Sequence, residues 1–144
     1  MKSIHVHAPP FPVPAFWITT AWMNELPNTF HLSITGLRVR PGIGNQLRFR
    51  YHAVRSFMQA RKAPGVLHVA ARRINGVDHT VTAWRDRDAM LAFVRSGPHL
   101  KAMRIFHHIA TGATCSFTTD HIPDWPEVHA RWKMEGVVVG GGER

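Results

Sequence analysis

Hydrophobic and polar positions change period several times along this chain, and each change marks an element. Phe30, Leu32 and Ile34 alternate with His31, Ser33 and Thr35, the two-residue period of a strand that runs to about Val39. From Asn45 to Lys62 the period becomes helical, with Leu47, Tyr51, Val54 and Met58 on one apolar stripe and Phe57 beside it. That stripe is the expected buried face, and Arg48, His52, Arg55, Gln59 and Lys62 fall largely elsewhere. Ala63-Pro64-Gly65 stops the helix. Strands are then expected over 66–73 and 79–85, joined through Asn75-Gly76, a strong hairpin signal.

Asp86 is a candidate N-cap for a helix that buries Met90, Phe93 and Val94. Gly97 ends it, and Pro98 sits in the first turn of a further helix running to about Ala110. Residues 113–119 alternate as a last strand, with Cys115 and Phe117 on one side, and 126–134 form a short terminal helix. The closing GVVVGGGER is expected to fray. Residues 1–29 carry Pro9, Pro10, Pro12 and Pro14 among Phe11, Phe16, Trp17 and Trp22, and read as an arm laid over a surface.

The order is β-α-β-β-α-β, with the second helical element broken at Gly97-Pro98. That order defines an α+β, ferredoxin-like unit with an antiparallel sheet. The expected layout is an arm over 1–29, one domain over 30–136 and a flexible tail over 137–144. Helices on one face leave the other open, and strand residues on both faces are apolar. A second subunit would cover the open side, so a homodimer is expected.

At 144 residues, 44% hydrophobic and 19% charged, the chain is long enough for one domain with a real core. A single cysteine, Cys115, excludes an intramolecular disulfide and fits a reducing compartment. The prolines of the first 25 residues and a lone early cation, Lys2, make a poor secretory signal, and no run of about 18 apolar residues could span a bilayer. A cytoplasmic location is therefore expected. The formal charge of +9 invites a nucleic-acid reading. The cations look scattered, however, with no long like-charge tract and no nucleic-acid motif, so a solvated basic surface is the plainer reading.

Candidate chemistry gathers between Thr80 and Met103, where a strand ends on Trp84 and His99 opens a helix. A helix N-terminus disfavours an imidazolium, so His99 is expected to be a neutral base or donor. Trp84 can wall a pocket for an aromatic compound or anchor strand to helix. Met103, Phe106 and His107 follow His99 at helical spacing as candidate substrate contacts, and the same stripe could cradle haem with His107 or His99 as ligand. His5 and His7 lack a third ligand at metal spacing, so no metal site is assigned. His121 and Trp125 are expected at a barrel mouth, and Cys115 as a core residue. No Ser-His-Asp order, paired-carboxylate motif, phosphate loop or dinucleotide fingerprint is present.

The strings KAPGVL at 62–67, TVTAWRDRDAMLAFVRSGPHLKAM at 80–103 and DHIPDWPEVHARWKMEG at 120–136 resemble the dimeric α/β-barrel superfamily. That superfamily includes the antibiotic-biosynthesis monooxygenases, and within it the chain is most similar to the spheroidene-monooxygenase-like branch. The resemblance implies a ferredoxin-like subunit, a barrel formed by two sheets, and a pocket between sheet and helices. It also implies oxidation of aromatic compounds without cofactor in some members, and haem binding in others. Only Trp84 and His99 match as site positions. The expectation is a monooxygenase-like protein acting on a small hydrophobic or aromatic compound, cofactor-free, with His99 catalytic. The alternatives are a haem-binding protein and a non-enzymatic binding or scaffold dimer.

Overall fold

The computed structural model describes residues 26–139. Five strands, β1 (Phe30–Val39), β2 (Val66–Ile74), β3 (Val77–Trp84), β4 (Ala110–Thr119) and β5 (Val137–Val139), form one antiparallel sheet in the order β2-β3-β1-β4-β5. Helix α1 (Ile43–Lys62) joins β1 to β2, helices α2 (Arg87–Val94) and α3 (Gly97–Ile109) join β3 to β4, and α4 (Trp125–Glu135) joins β4 to β5. The first four strands with α1 to α3 are the expected ferredoxin-like unit. Most of the expected arm lies outside the described residues; its last part, 26–29, is exposed.

Turn chemistry fixes the β2–β3 hairpin. Asn75 (φ 49°) and Gly76 (φ 76°) both take the left-handed conformation of a two-residue turn, which matches strand twist. Strand alternation then sorts side chains between the two faces. Leu32 lies opposite Ala83 and Phe117, and Ile34 opposite Val81 and Cys115, and all of these join one cluster with Val128 of α4. The other face carries Trp84 and Val69, which pack with Ala60, Met90 and Phe93 under α1 and α2.

The structure corrects several expectations. Leu47, Tyr51, Val54 and Met58 do not form the buried face of α1: they are exposed. The inward side carries Phe49 and Ala60, with Ala53, Ser56 and Phe57 half-buried. Small residues let the helix approach the sheet closely, which a count of large apolar side chains does not register. The far sheet face is not open either. Val128, Trp125 and Trp132 of α4 cover it, so Leu32, Ile34 and Val81 are buried within one chain. Residues 137–139 are not frayed but pair with Gly112–Thr114 as an edge strand, because three β-branched valines suit a pleated ladder. Likewise β4 starts at Ala110, directly from α3.

Close approach of α4 depends on Gly36. A Cβ there would lie 2.5 Å from Trp132 Nε1 and 2.8 Å from His79 Cε1. Trp132 Nε1 donates to the Ala113 carbonyl at 3.0 Å, which ties α4 to β4. At its start, Asp124 accepts the Glu127 N–H at 2.9 Å.

Candidate functional site

The β3–α2 junction is rigid by construction. Asp86 caps α2 by accepting the Ala89 N–H at 2.8 Å. Trp84 is fully buried, its Nε1 donates to Thr82 Oγ1 at 2.8 Å, and its ring stacks on Phe93 at 5.0 Å between centroids. Its only polar atom is thereby used inside the protein. Phe93 in turn touches the ring of His99 at 4.6 Å.

His99 is held from two sides. Its main-chain N–H donates to Gln59 Oε1 at 2.7 Å, and Gln59 Nε2 donates to the Ser96 carbonyl at 3.0 Å, so α1 braces the α2–α3 bend. The ring Nδ1 lies 3.1 Å from the Val94 carbonyl. A carbonyl only accepts, so Nδ1 carries the proton and Nε2 keeps its lone pair. Burial lowers the His99 pKa below 6.5, with the Val94 carbonyl opposing in part. A neutral imidazole with a basic Nε2 is the resulting species.

The rest of the expected α3 stripe diverges. Phe106 is half-buried and packs on Phe49 at 4.8 Å, whereas Met103 and His107 are exposed. His107 meets the ring of His108 at 4.9 Å. As a haem cradle these residues do not fit, because Phe106 turns inward while Met103 and His107 turn to solvent. His99 keeps a lone pair on Nε2 that can ligate iron, its Nδ1–H being held by the Val94 carbonyl, but the rest of the stripe forms no cradle beside it.

Polar residues on the helix-facing side of the sheet form a group the sequence reading passed over. His31, Ser33 and Thr35 of β1 share this face with Thr80 and Thr82 of β3 and Thr114 and Ser116 of β4, by strand register. Thr35 and Thr114 hydroxyls lie 3.3 Å apart, and Thr114 donates to the Ile34 carbonyl at 3.0 Å. Two buried atoms in this interlayer have no hydrogen-bond partner: His31 Nε2, and Ser56 Oγ on the inward side of α1. Burial lowers the His31 pKa, Arg87 adds to the effect and Asp86 opposes it, so this ring is also neutral. The signal was present in the sequence, since His31, Ser33 and Thr35 put polar groups on the strand face that the helices must cover.

Elsewhere, Thr114, Cys115, Ser116, Glu135 and Val137 line a groove of about 360 Å³ along the β4–β5 edge. Burial and then Glu135 raise the Cys115 thiol pKa, so this sulfur is a weak nucleophile. His121 is exposed, 2.9 Å from Asp120 and 3.2 Å from Glu127, and both contacts raise its pKa. Trp125 packs against the core under α4. His5 and His7 lie outside the described residues. Among the described residues no group of three metal-ligating side chains converges, and no helix is long and apolar enough to cross a membrane.

No protein-family model matches the chain. No curated protein sequence matches it. Solved structures do. SnoaB, a cofactor-independent oxygenase from Streptomyces nogalater, aligns over 68% of this chain and 100% of its own, at 15% identity and TM-score 0.54. A conserved protein of unknown function from Bacteroides thetaiotaomicron aligns over 65% of this chain and 100% of its own, at 14% identity and TM-score 0.55. An antibiotic biosynthesis monooxygenase aligns over 65% of this chain and 99% of its own, at 12% identity and TM-score 0.54. The chain therefore has the ferredoxin-like α+β fold of the antibiotic-biosynthesis-monooxygenase-like proteins. At these identities the likeness carries the fold and not the chemistry.

Proposed function

We propose that this protein is a cofactor-independent oxygenase that acts on a small aromatic or hydrophobic compound bearing polar groups. The substrate would lie between the sheet and helices α1 to α3. One observation carries the reading: His31 Nε2 and Ser56 Oγ are buried without partners in a layer lined by hydroxyls. Buried polar atoms are nearly always satisfied, so two orphans in one layer point to a ligand that completes them. SnoaB, whose fold is shared, is described as a cofactor-independent oxygenase, and this directs the choice of reaction.

In the proposed reaction His99 Nε2 takes a proton from an acidic C–H or phenol of the substrate. The resulting carbanion or enolate reduces dioxygen and forms a C–O bond. Loss of water from the hydroperoxide turns a methylene into a carbonyl, and the substrate supplies both electron pairs. The chain needs to contribute only a base, oriented donors and a dry layer. A homodimer is part of this reading, and because α4 covers the far sheet face, the interface would run over α4 and not between bare sheets.

Oxygen uptake with hydroxylated polycyclic ketones tests the proposal. The expected outcome is uptake without added metal or flavin, cut about 100-fold or more by His99→Ala. Uptake that survives His99→Ala removes His99 as base, and no uptake or binding across a phenolic panel removes the oxygenase reading.

A further inference from the structure

The outer face of α1 combines two features that a solvated helix does not need. Ile43, Leu47, Tyr51, Val54 and Met58 recur at three- and four-residue spacings as one exposed stripe, with Ile43 81% and Leu47 63% exposed. Arginines border it: Arg48 and Arg55 on one flank, Arg50 on the other, all exposed. No acidic residue occurs in α1, nor in α3 beside it. Residues 26–77 and 89–119 contain no Asp or Glu at all.

The acidic residues are thus kept off α1 and α3: Asp78 lies in β3, and Asp86 and Asp88 at the start of α2. Asp120, Asp124, Glu127 and Glu135 lie on or next to α4, across the sheet from α1 and α3. The positive field on the α1–α3 side is felt by His52, whose pKa is lowered by burial and then by Arg48, Arg55 and Lys101.

We infer that α1 is an interfacial helix that lays the protein on an anionic lipid bilayer, with α4 and its carboxylates turned away. The stripe would enter the headgroup and acyl boundary while the arginines stay with lipid phosphates. Tyr51, whose hydroxyl accepts from Arg55 Nη1 at 2.9 Å, has the amphipathic character of an interfacial aromatic. Charge complementarity selects this occupant over the alternatives. A second copy docked through α1 would set arginine rows against each other, with no carboxylate from α1 or α3 between them. The segment 1–25 brings one acid, Glu25, against those cations. A nucleic-acid backbone matches the arginines but leaves Ile43, Leu47, Val54 and Met58 without an apolar partner.

Flotation of the full chain with vesicles of phosphatidylcholine alone, and of equimolar phosphatidylcholine and phosphatidylglycerol, tests the inference. The protein is expected to float with the anionic vesicles only, and less so as salt rises. Arg48→Gln and Arg55→Gln should each weaken partitioning about fivefold, the equivalent of about 1 kcal/mol per cation. Leu47→Glu with Val54→Glu should abolish it while circular dichroism stays unchanged, since both positions are exposed. Three results overturn the inference: no flotation at low salt, flotation unaffected by the Leu47/Val54 pair, or a shift of that pair from dimer to monomer in sedimentation. Preferential capture by duplex DNA over anionic vesicles would overturn it as well. If the glutamate pair misfolds, the Arg48 and Arg55 variants decide by the same readout.

Discussion

His79 Nε2 and His129 Nδ1 lie 2.8 Å apart, joining the centre of β3 to α4 through a single shared proton. His79 is almost fully buried, with Trp132 set edge-on to its ring at 5.1 Å. Its Nδ1 is buried without a partner in good geometry, although the Thr35 main chain favours a proton on the ring. Both rings can be neutral in this arrangement, whereas two imidazoliums would place like charges and two donors face to face.

Acid should therefore loosen the α4 side of the fold. Burial lowers the His79 pKa first, His129 and Arg38 add to this, and Thr35 opposes it in part. A histidine depressed in the folded state is protonated first in the unfolded chain. The stability it contributes is full above 6.5 and is lost as pH falls from there through the folded value. His31 and His99 are lowered as well and act in the same direction. Thermal unfolding followed from neutral to mildly acidic pH should show a falling midpoint, and His79→Leu should flatten that slope. An unchanged slope would assign the acid sensitivity elsewhere.

Gly36→Ala tests the packing beneath that pair. Its Cβ would press on Trp132 and His79, both held by hydrogen bonds, so relief requires moving α4. A loss of about 1–3 kcal/mol in denaturant titration, with a shift in tryptophan emission, is expected.

Gln59→Ala removes the brace across the α2–α3 bend. The His99 N–H loses its acceptor and the Ser96 carbonyl its donor, a cost of about 1–3 kcal/mol by urea titration. Gln59→Glu keeps the acceptor and loses the donor, so it should fall between parent and alanine variant. In the oxygen-uptake assay Gln59→Ala should reduce turnover less than His99→Ala does, because it shifts the ring without deleting it.

Trp84→Ala should be the costliest of these changes, about 3–5 kcal/mol, as expected for truncating a buried aromatic ring. Trp84→Phe keeps the stack on Phe93 and should cost less. Substrate affinity should not respond to Trp84→Phe, since no part of the indole is exposed; a raised KM at unchanged stability would return Trp84 to the pocket wall.

His31→Leu separates stability from binding. Removing an orphaned buried imidazole nitrogen should leave stability equal or higher, while ligand affinity falls. A loss of stability with unchanged binding would show that His31 serves packing and not a ligand.

Local signals account for much of this fold. Asn75-Gly76 announced the hairpin because only left-handed residues close a two-residue turn compatibly with strand twist. Asp86, Gly97 and Pro98 placed the two helices after β3 because capping and breaking are contacts within a few residues. His99 as a neutral ring was also legible, although burial sets that state, while the Val94 carbonyl fixes the tautomer and opposes neutrality in part. The pairing of His79 with His129 was not, because fifty residues separate them and neither sits in a motif.

By itself the sequence determined the order of strands and helices from β1 to α4, the turns between them and the alternation of the four long strands, all of which follow from short-range backbone preferences. Tertiary structure decided which side of each element is inside. Helix α1 shows the difference most plainly: its large apolar residues recur at helical spacing, yet they face solvent, because close packing on the sheet selects Phe49, Ala53 and Ala60. Sheet closure was decided in the same way. Helix α4 returns to cover a face that local pattern alone left open, and β5 extends the sheet edge beside it, since burial is a property of what comes to lie opposite and not of the segment itself.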